Sequence, residues 1–273
     1  MSTALEAASA GVVVRGEREG SGPGVVLAHG LTAHRDLVVH GSRALARAGH
    51  EVVRYDARGH GESDAGATGS YGYDQLADDL AAVVAAAGLE RPILAGSSMG
   101  AHTIAALALR DPSRWAGTVL IGPASVGVPL TAETLAGWDR LATGLEEGGI
   151  EGFIAAYGAG TDPAWRDTLV RIARERMARH RDLAAVARAL REVPRSVPFD
   201  GLAELESLRL PALVVASGDE ADPGHPRAVA VAWAEALPEA TLIGEREGEG
   251  ESPLAWQGGR LSREIARFAA GLA

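Results

Sequence analysis

The sequence predicts an α/β protein, with a mostly parallel central sheet and helices on both of its faces. Short apolar runs typical of buried strands alternate along the chain with segments in which apolar residues recur at helical spacing. Residues 92–95 form one such run, which leads into Gly96-x-Ser98-x-Gly100, and residues 99–110 continue as a helix. Strands that alternate with helices form a parallel sheet covered on both faces.

The individual elements follow from these two patterns and from the residues that end them. Leu76, Leu80 and Val84 recur at helical spacing, and Gly88 ends that helix. Segment 56–63 is too rich in glycine and charge to continue the strand before it. The predicted strands are residues 11–15, 24–28, 50–55, 92–95, 115–121, 210–216 and 241–243. The predicted helices around them are residues 43–48, 73–87, 99–110, 226–237 and 261–270.

The alternation of strands and helices stops between residues 123 and 208. Residues 131–146 and 164–193 look helical, and no convincing strand lies between them. We therefore expect a helical cap at residues 123–208, inserted into an α/β core formed by residues 1–122 and 209–273. The chain length suits one α/β domain with an insertion better than two independent domains.

The composition excludes several classes of function. The 273 residues include no cysteine, which removes thiolate catalysis, disulfides and thiolate metal sites. All 26 basic residues are arginine, against 36 acidic residues, and the net charge of −10 argues against nucleic acid or an anionic membrane as the main partner. Residues 1–10 have no basic flank before a long apolar segment, so we expect a cytoplasmic protein. No histidine pair has metal-ligand spacing with a third ligand, so we predict no metal.

The turn at residues 96–100 is the strongest indication of chemistry. A strand, a sharp turn and a helix are typical of a nucleophile elbow, in which Gly96 and Gly100 permit a turn that lifts the Ser98 hydroxyl above the sheet. Ser98 is therefore the candidate nucleophile. The alternative is a glycine-rich turn with an ordinary helix-capping serine. The pentapeptide alone is weak, and the flanking strand and helix favour the nucleophile.

Three motifs and a helical insertion follow one another along the chain. The motifs are His29-Gly30 after an early strand, Asp56-x-Arg58-Gly59-x-Gly61-x-Ser63 after the next strand, and Gly96-x-Ser98-x-Gly100. In this order they resemble the α/β-hydrolase superfamily over nearly the whole chain. The resemblance implies that the backbone N–H groups of Leu31 and Met99 hold an oxyanion. Preorganised donors at a helix N-terminus suit that negative charge.

The resemblance also implies a catalytic acid after the strand that ends near Ala216. Two aspartates compete there. Asp222 stands directly before a proline and matches the spacing usual in similar sequences, whereas Asp219 is nearer the strand end and can simply terminate it. We favour Asp222. The alternative for either residue is an aspartate that caps the helix beginning near Pro226.

The histidine base that the resemblance implies in the loop after the last strand is absent. Glu251 stands where similar sequences commonly have histidine, and the last histidine of the chain is His225. Three interpretations stay open. His225 acts as the base, oriented by Asp222 or Glu251, since imidazole has a pKa of about 6.5. Alternatively, Glu251 is itself the base with a pKa raised by burial, or the pocket performs no acyl transfer.

Other histidines are weaker candidates for the base. His34, in the loop after the expected oxyanion donors, is the substitute if His225 points away. His102 lies one helical turn after Ser98, where we expect a core histidine with satisfied hydrogen bonds. His50 and His180 are expected at surface or cap positions. Cap aromatic residues can line a substrate pocket or pack the cap on the core, and these are Trp138, Phe153, Tyr157 and Trp165.

The sequence thus predicts a cofactor-free serine hydrolase that acts on a carboxylic ester or a related acyl bond of a small molecule. An insertion of this size shields the serine and favours a small or medium apolar ester over a polymer. The alternatives are a non-hydrolytic enzyme of the same fold, such as a lyase, isomerase or cyclase, and a small-molecule binding protein with a disabled site. We expect no nucleic-acid or membrane partner, and a homodimer is left open.

Overall fold

Eight strands form one sheet in the part of the chain that the computed structural model describes, residues 2–217, 224–244 and 259–272. The strands are β1 Thr3–Ser9, β2 Val12–Gly20, β3 Gly24–Ala28, β4 Glu51–Tyr55, β5 Ile93–Ser97, β6 Gly117–Ile121, β7 Ala212–Ala216 and β8 Ala240–Gly244. Their order across the sheet is β1-β2-β4-β3-β5-β6-β7-β8. Strands β3 to β8 run parallel to one another, as predicted.

Strands β1 and β2 form an antiparallel hairpin at one edge of the sheet, and β2 pairs antiparallel with β4. The hairpin turns at Ala10 and Gly11, both with positive φ, which matches the right-handed twist of the strands. The sequence pattern does not predict β1, because its alanine, serine and glutamate residues are poor strand formers. Pairing with β2 and burial of Leu5 and Ala7 stabilise it instead.

Helices cover both faces of the sheet. They are α1 Ala44–Arg47, α2 Tyr73–Ala87, α3 Met99–Arg110, α8 Arg227–Ala236 and α9 Arg260–Ala270. Helices α2, α3 and α8 share one apolar core with the sheet, and α1 and α9 share the core on the other face. The bounds of α2 and α3 are the predicted ones, and the arrangement confirms the predicted α/β class.

The segment between β6 and β7 is helical, with α4 Ala132–Gly158, α5 Arg166–Met177, α6 Leu183–Glu192 and α7 Leu202–Leu205. Helix α4 extends beyond the predicted end at residue 146 but is interrupted at Gly149, which has φ 58° and ψ −145°. The chain folds back there, since a Cβ on Gly152 would overlap the Gly144 carbonyl oxygen. Eight residues of straight helix would separate those two glycines by about 12 Å.

These helices have an apolar core of their own. Its buried side chains are Ala142, Leu145, Phe153, Ile154, Ala173, Met177, Val186, Ala187 and Leu190, which we call the cap cluster. Phe153 is buried in this cluster and therefore packs the cap. The domain division at residues 122/123 and 208/209 stays a prediction. No helix among the described residues is long and apolar enough to cross a membrane.

Candidate active site

Strand β5 passes into α3 through Ser98, whose backbone has φ 52° and ψ −113°. Residues other than glycine rarely adopt such a conformation, which stores about 1–3 kcal/mol of strain. Two glycines make the turn possible. A Cβ on Gly96 would lie 2.5 Å from the Gly100 carbonyl carbon, and a Cβ on Gly100 would overlap the Ala28 carbonyl oxygen. The residues around Ser98 therefore permit only glycine at these two positions.

Hydrogen bonds fix the backbone of Ser98 at the C-terminal edge of the parallel strands. Its N–H donates to the carbonyl oxygen of Ile121 at the end of β6, at 2.9 Å. Its C=O accepts from the His102 N–H at 3.1 Å. Ser98 is half-buried. The serine is thus held between two strands and a helix in its strained conformation.

The loop after β3 lies directly beside Ser98, since a Cβ on Gly30 would be 3.3 Å from the Ser98 Cβ. The Gly30 carbonyl oxygen accepts from the Ala33 N–H at 3.0 Å and from the His29 Nδ1–H at 2.8 Å. A trans peptide unit is planar, and its C=O and N–H point in opposite directions. The two bonds on Gly30 therefore also fix the direction of the Leu31 N–H.

Two backbone N–H groups are available near Ser98. Met99 is the first residue of α3, so its N–H has no acceptor within the helix. Among the described residues, neither the Met99 N–H nor the Leu31 N–H donates to a protein acceptor. Donors at a helix N-terminus favour negative charge. This arrangement can bind an oxygen atom that becomes anionic next to the Ser98 side chain.

Two buried histidines link the loop after β3 to the turn after β4. His29 Nε2 accepts from the Ala57 N–H at 2.9 Å. His60 Nδ1–H donates to the Arg58 carbonyl oxygen at 3.0 Å, and His60 Nε2 accepts from the Thr32 N–H at 3.3 Å. Each ring thus uses one nitrogen as donor and the other as acceptor, which only a neutral imidazole can do.

A third histidine, His180, joins this group from the segment between α5 and α6. His180 lies in the predicted cap segment, as expected, whereas the predicted surface position is wrong for His50, and both side chains are buried. His180 Nε2–H donates to the Thr32 carbonyl oxygen at 2.9 Å, and Nδ1 accepts from the Gly61 N–H at 2.9 Å. His180 and Thr32 are 148 residues apart, and no sequence pattern joins them.

Burial keeps all three of these histidines neutral. Desolvation lowers the pKa of His29 to about 3 and that of His180 to about 4. The pKa of His60 lies well below its ordinary value for the same reason. Their rings are adjacent, with centroids 5.2 Å apart for His29 and His60 and 5.5 Å apart for His60 and His180. A charge on one ring would therefore be unfavourable for the other two.

The turn at residues 56–63 supports His60. The buried Asp56 carboxylate accepts from the Glu62 N–H at 3.0 Å, and a Cβ on Gly61 would overlap that carboxylate. Arg58 makes two hydrogen bonds with the Asp79 carboxylate of α2, each 2.7 Å long, and both side chains are buried. The aspartate, arginine and glycine of this motif thus have structural roles that fix the turn.

His102 is a core histidine with both ring nitrogens engaged, the outcome that we expect from the sequence. Its Nδ1–H donates to the Ser98 carbonyl oxygen at 2.9 Å, and its Nε2 accepts from the Ser125 hydroxyl at 3.1 Å. Its ring packs edge-on against Trp233, with centroids 5.2 Å apart. Burial lowers the pKa of His102 to about 4. These contacts direct both nitrogens to groups other than the Ser98 hydroxyl.

His225 lies at the same edge of the sheet as Ser98. A Cβ on Gly122 would be 3.5 Å from the Cβ and Cγ of His225. Gly122 follows Ile121, whose carbonyl oxygen accepts a hydrogen bond from the Ser98 N–H. His225 is also close enough to His102 to lower its pKa electrostatically. The structure thus brings the first candidate base to the end of β6, next to the strand that leads into Ser98.

The remaining predicted site residues fall into two groups. Asp222 and Glu251 lie outside the described residues, as does the competing Asp219. His34 is buried, and its Nδ1 lies 3.4 Å from the Asp36 N–H nitrogen and 3.9 Å from an Asp36 carboxylate oxygen. The hydrogen-bond partner of its Nδ1 is therefore a residue of its own loop. In residues 2–217, 224–244 and 259–272, no three His, Asp or Glu side chains group as metal ligands would.

A family model described as alpha/beta hydrolase fold matches residues 23–244. The match begins just before β3 and ends with β8. It therefore contains the loop after β3, the turn at Ser98 and the helices between β6 and β7. This is more than half of the chain.

Curated relatives match over shorter stretches. The AB hydrolase superfamily protein YisY of Bacillus subtilis is 36% identical over 98 residues, which are 36% of this chain and 35% of that protein. The 2-hydroxy-6-oxononadienedioate/2-hydroxy-6-oxononatrienedioate hydrolase of Burkholderia vietnamiensis is 30% identical over 211 residues, 74% of this chain and 68% of that enzyme. The chain thus spans about a third of the first relative and about two thirds of the second.

Solved structures resemble the whole chain. A thermophilic esterase from Thermogutta terrifontis has a TM-score of 0.78 and 22% sequence identity, and the likeness covers 100% of this chain and 99% of the esterase. At that identity the likeness concerns the fold.

Proposed function

Because the chain belongs to the α/β hydrolase fold family, we propose that it is a cofactor-free serine hydrolase acting on a carboxylic ester or a related acyl bond of a small molecule. Family membership confirms the predicted α/β-hydrolase fold, and relatives that are named hydrolases support a hydrolase activity. One observation carries the finer assignment. Ser98 is held at φ 52° on a turn beside two N–H groups that donate to no described residue.

In the proposed reaction, the Ser98 Oγ attacks the substrate carbonyl carbon while its proton passes to a base. The carbonyl oxygen becomes an oxyanion that accepts from the N–H groups of Leu31 and Met99. The tetrahedral intermediate then breaks its bond to the leaving group, which takes up the proton. A water molecule attacks the acyl-enzyme in the same way and releases the acid and free Ser98. Each oxyanion donor contributes a factor of about 10²–10³ in rate.

We assign the proton transfer to His225. Its place beside Gly122, at the edge of the sheet that carries Ser98, supports this assignment. His102 is a poorer base, because its Nδ1–H already donates to the Ser98 carbonyl oxygen and its Nε2 accepts from the Ser125 hydroxyl. Asp222 is proposed to orient the imidazole of His225. Glu251 is the alternative base.

A small apolar substrate is supported by the way the cap meets the loop after β3. The Leu31 side chain packs against the main core and also against the cap cluster. Trp138 and Ile150 are partly buried against the same cluster. A cover of apolar side chains next to the oxyanion donors excludes water and favours small apolar molecules over polymers.

Hydrolysis of p-nitrophenyl butyrate tests the nucleophile. Ser98→Ala is expected to lower kcat by at least about 10³-fold, because the oxyanion donors and binding alone give little catalysis. Ser97→Ala, one position earlier at the end of β5, is the matched control and is expected to retain activity. Equal activity in Ser98→Ala and the wild type would exclude the serine mechanism.

The base is identified by comparing His225→Ala with Glu251→Ala across pH 5 to 9. If His225 is the base, its variant alone loses about 10³-fold or more in kcat. If Glu251 is the base, the losses are reversed. A wild type no more active than both variants would favour a non-hydrolytic enzyme or a binding protein with this fold.

A further inference from the structure

Thr32 has an unusual backbone for its residue type. It is a buried, β-branched residue with φ 65°, a left-handed conformation that such residues rarely adopt. Strained positions of this kind persist only where the surroundings hold them in place. Thr32 follows Leu31, the proposed oxyanion donor, so the strain lies one residue from the reacting centre.

Two histidines bond the backbone of Thr32, one at its N–H and the other at its carbonyl oxygen. The Thr32 N–H donates to His60 Nε2 at 3.3 Å, and the Thr32 carbonyl oxygen accepts from His180 Nε2–H at 2.9 Å. The ring of His180 is fixed in turn, because its Nδ1 accepts from the Gly61 N–H at 2.9 Å. Both peptide units that flank the Thr32 Cα therefore have a histidine partner.

His180 differs from the other two histidines of this group because it comes from the cap region. The next residue strengthens the link, since the Arg181 N–H donates to the Gly61 carbonyl oxygen at 3.0 Å. The Arg181 side chain also pairs with Asp64 at 2.9 Å. Residues 180 and 181 thus attach the cap both to the turn after β4 and to the loop after β3.

We propose that His180 is a positioning residue that sets the Leu31 N–H for catalysis by bonding the Thr32 carbonyl oxygen. This assignment rests on the proposed function, in which that N–H holds the oxyanion. The Leu31 side chain packs against both the main core and the cap cluster. The cap therefore contacts this loop twice, through the Leu31 side chain and through the bond from His180 to the Thr32 carbonyl oxygen. The cap that covers the substrate is therefore also the element that completes the oxyanion site.

The tautomer of His180 gives each nitrogen a separate task. A carbonyl oxygen can only accept, so Nε2 carries the proton and Nδ1 is the acceptor. Burial lowers the pKa of His180 to about 4, which keeps this neutral form at neutral pH. Two carboxamides can each reproduce one of these tasks. Glutamine places an N–H donor near the Nε2 position, and asparagine places an oxygen acceptor near the Nδ1 position.

The test compares His180→Gln, His180→Asn and His180→Ala in p-nitrophenyl butyrate hydrolysis. His180→Gln keeps the donor to Thr32 and is expected to retain kcat within about threefold, whereas His180→Asn and His180→Ala lose about tenfold or more, with KM changed little. Equal kcat in the Gln and Asn variants overturns the proposal. Urea unfolding of the three variants identifies any that fails to fold, and the Gln–Asn comparison still decides.

The Ala33 N–H shares a peptide unit with the Thr32 carbonyl and donates to the Gly30 carbonyl oxygen at 3.0 Å, and its amide hydrogen exchange gives a readout that does not depend on activity. The expected order is fast exchange in the Asn and Ala variants and slow exchange in the Gln variant and wild type. Equal exchange in all four proteins overturns the proposal while leaving the serine mechanism intact. Loss of ester hydrolysis in the wild type, or full activity in Ser98→Ala, instead overturns the proposed function and the catalytic meaning of the contact with it.

Discussion

Ser98 has a backbone conformation that lowers stability at the position of the proposed nucleophile. Its φ of 52° is unfavourable for serine, and glycine would adopt it without strain. The hydrogen bonds from the Ser98 N–H to the Ile121 carbonyl oxygen and from the His102 N–H to the Ser98 carbonyl oxygen hold the conformation. A residue retained in an unfavourable conformation at the end of a central strand is typical of a functional site.

Replacing Ser98 with glycine is expected to stabilise the protein while removing its proposed activity. Relief of the strain should raise the free energy of unfolding by about 1–3 kcal/mol, measured by urea unfolding. Ser97→Gly is the matched control, because Ser97 ends β5 in extended backbone and glycine there should destabilise by about 0.5–1 kcal/mol. Equal destabilisation by both changes would show that Ser98 stores no strain.

At the scale of elements, α3 packs closely on β3 because residue 100 is a glycine and has no side chain. Gly100, in the first turn of α3, faces the end of β3 so closely that a Cβ would overlap the Ala28 carbonyl oxygen. The backbone of β3 is held on both sides by β4 and β5 and cannot move away. This close approach brings the loop after β3 to Ser98.

Gly100→Ala is therefore expected to lower the free energy of unfolding by about 3 kcal/mol or more, since helix and strand must separate. The matched control is Gly137→Ala, in the second turn of α4, where the nearest atom to a new Cβ is an Arg140 guanidinium nitrogen at 3.6 Å. That change should stabilise α4 by up to about 1 kcal/mol. Urea unfolding curves measure both, and a mild effect at Gly100 would contradict the close packing.

The buried ion pair between Arg58 and Asp79 joins the turn after β4 to α2. Asp79→Ala leaves the guanidinium buried and uncompensated, so we expect a loss of about 3–5 kcal/mol in the free energy of unfolding. The adjacent Asp78 pairs with Arg110 at the surface, and Asp78→Ala should lose less than about 1 kcal/mol. Chemical denaturation of the two variants side by side separates the cases, and similar losses would contradict the role of burial.

At the scale of the whole molecule, four buried histidines are neutral in the folded protein. The pKa values of His29, His102 and His180 are lowered to about 3, about 4 and about 4, and that of His60 lies well below its ordinary value, all chiefly by desolvation. In the unfolded chain each titrates at about 6.5. Between these values the unfolded chain binds more protons than the folded protein.

The contribution of these histidines to the free energy of unfolding should therefore be complete above pH 6.5, and the free energy of unfolding should fall as the pH drops towards 4. Each buried histidine contributes a slope of about 1.4 kcal/mol per pH unit in this interval. Urea unfolding at pH 7, 6 and 5 measures the total slope. His180→Gln should reduce the total slope by the contribution of one histidine. A free energy of unfolding that stays constant over this range would contradict the neutral state of the buried histidines.

Part of the fold and site is readable from local sequence. The apolar runs and helical spacing of residues 73–121 predict α2, β5, α3 and β6 closely, because burial in a parallel sheet requires continuous apolar strands. The glycines around Ser98 predict the turn, since no other residue fits there. Strand β1 is missed, because its stability comes from pairing with β2 and not from its own composition.

By itself, the sequence determined the α/β class, the helical insertion and the position of Ser98, since periodicity and glycine spacing are local properties of the chain. Only the tertiary structure decided which groups the buried histidines bond. His102 turns to the Ser98 carbonyl oxygen, and His180 crosses 148 residues to Thr32. These bonds depend on which carbonyl and N–H groups the packed sheet and cap bring within about 3 Å of a ring nitrogen, and such distances arise only when distant segments meet.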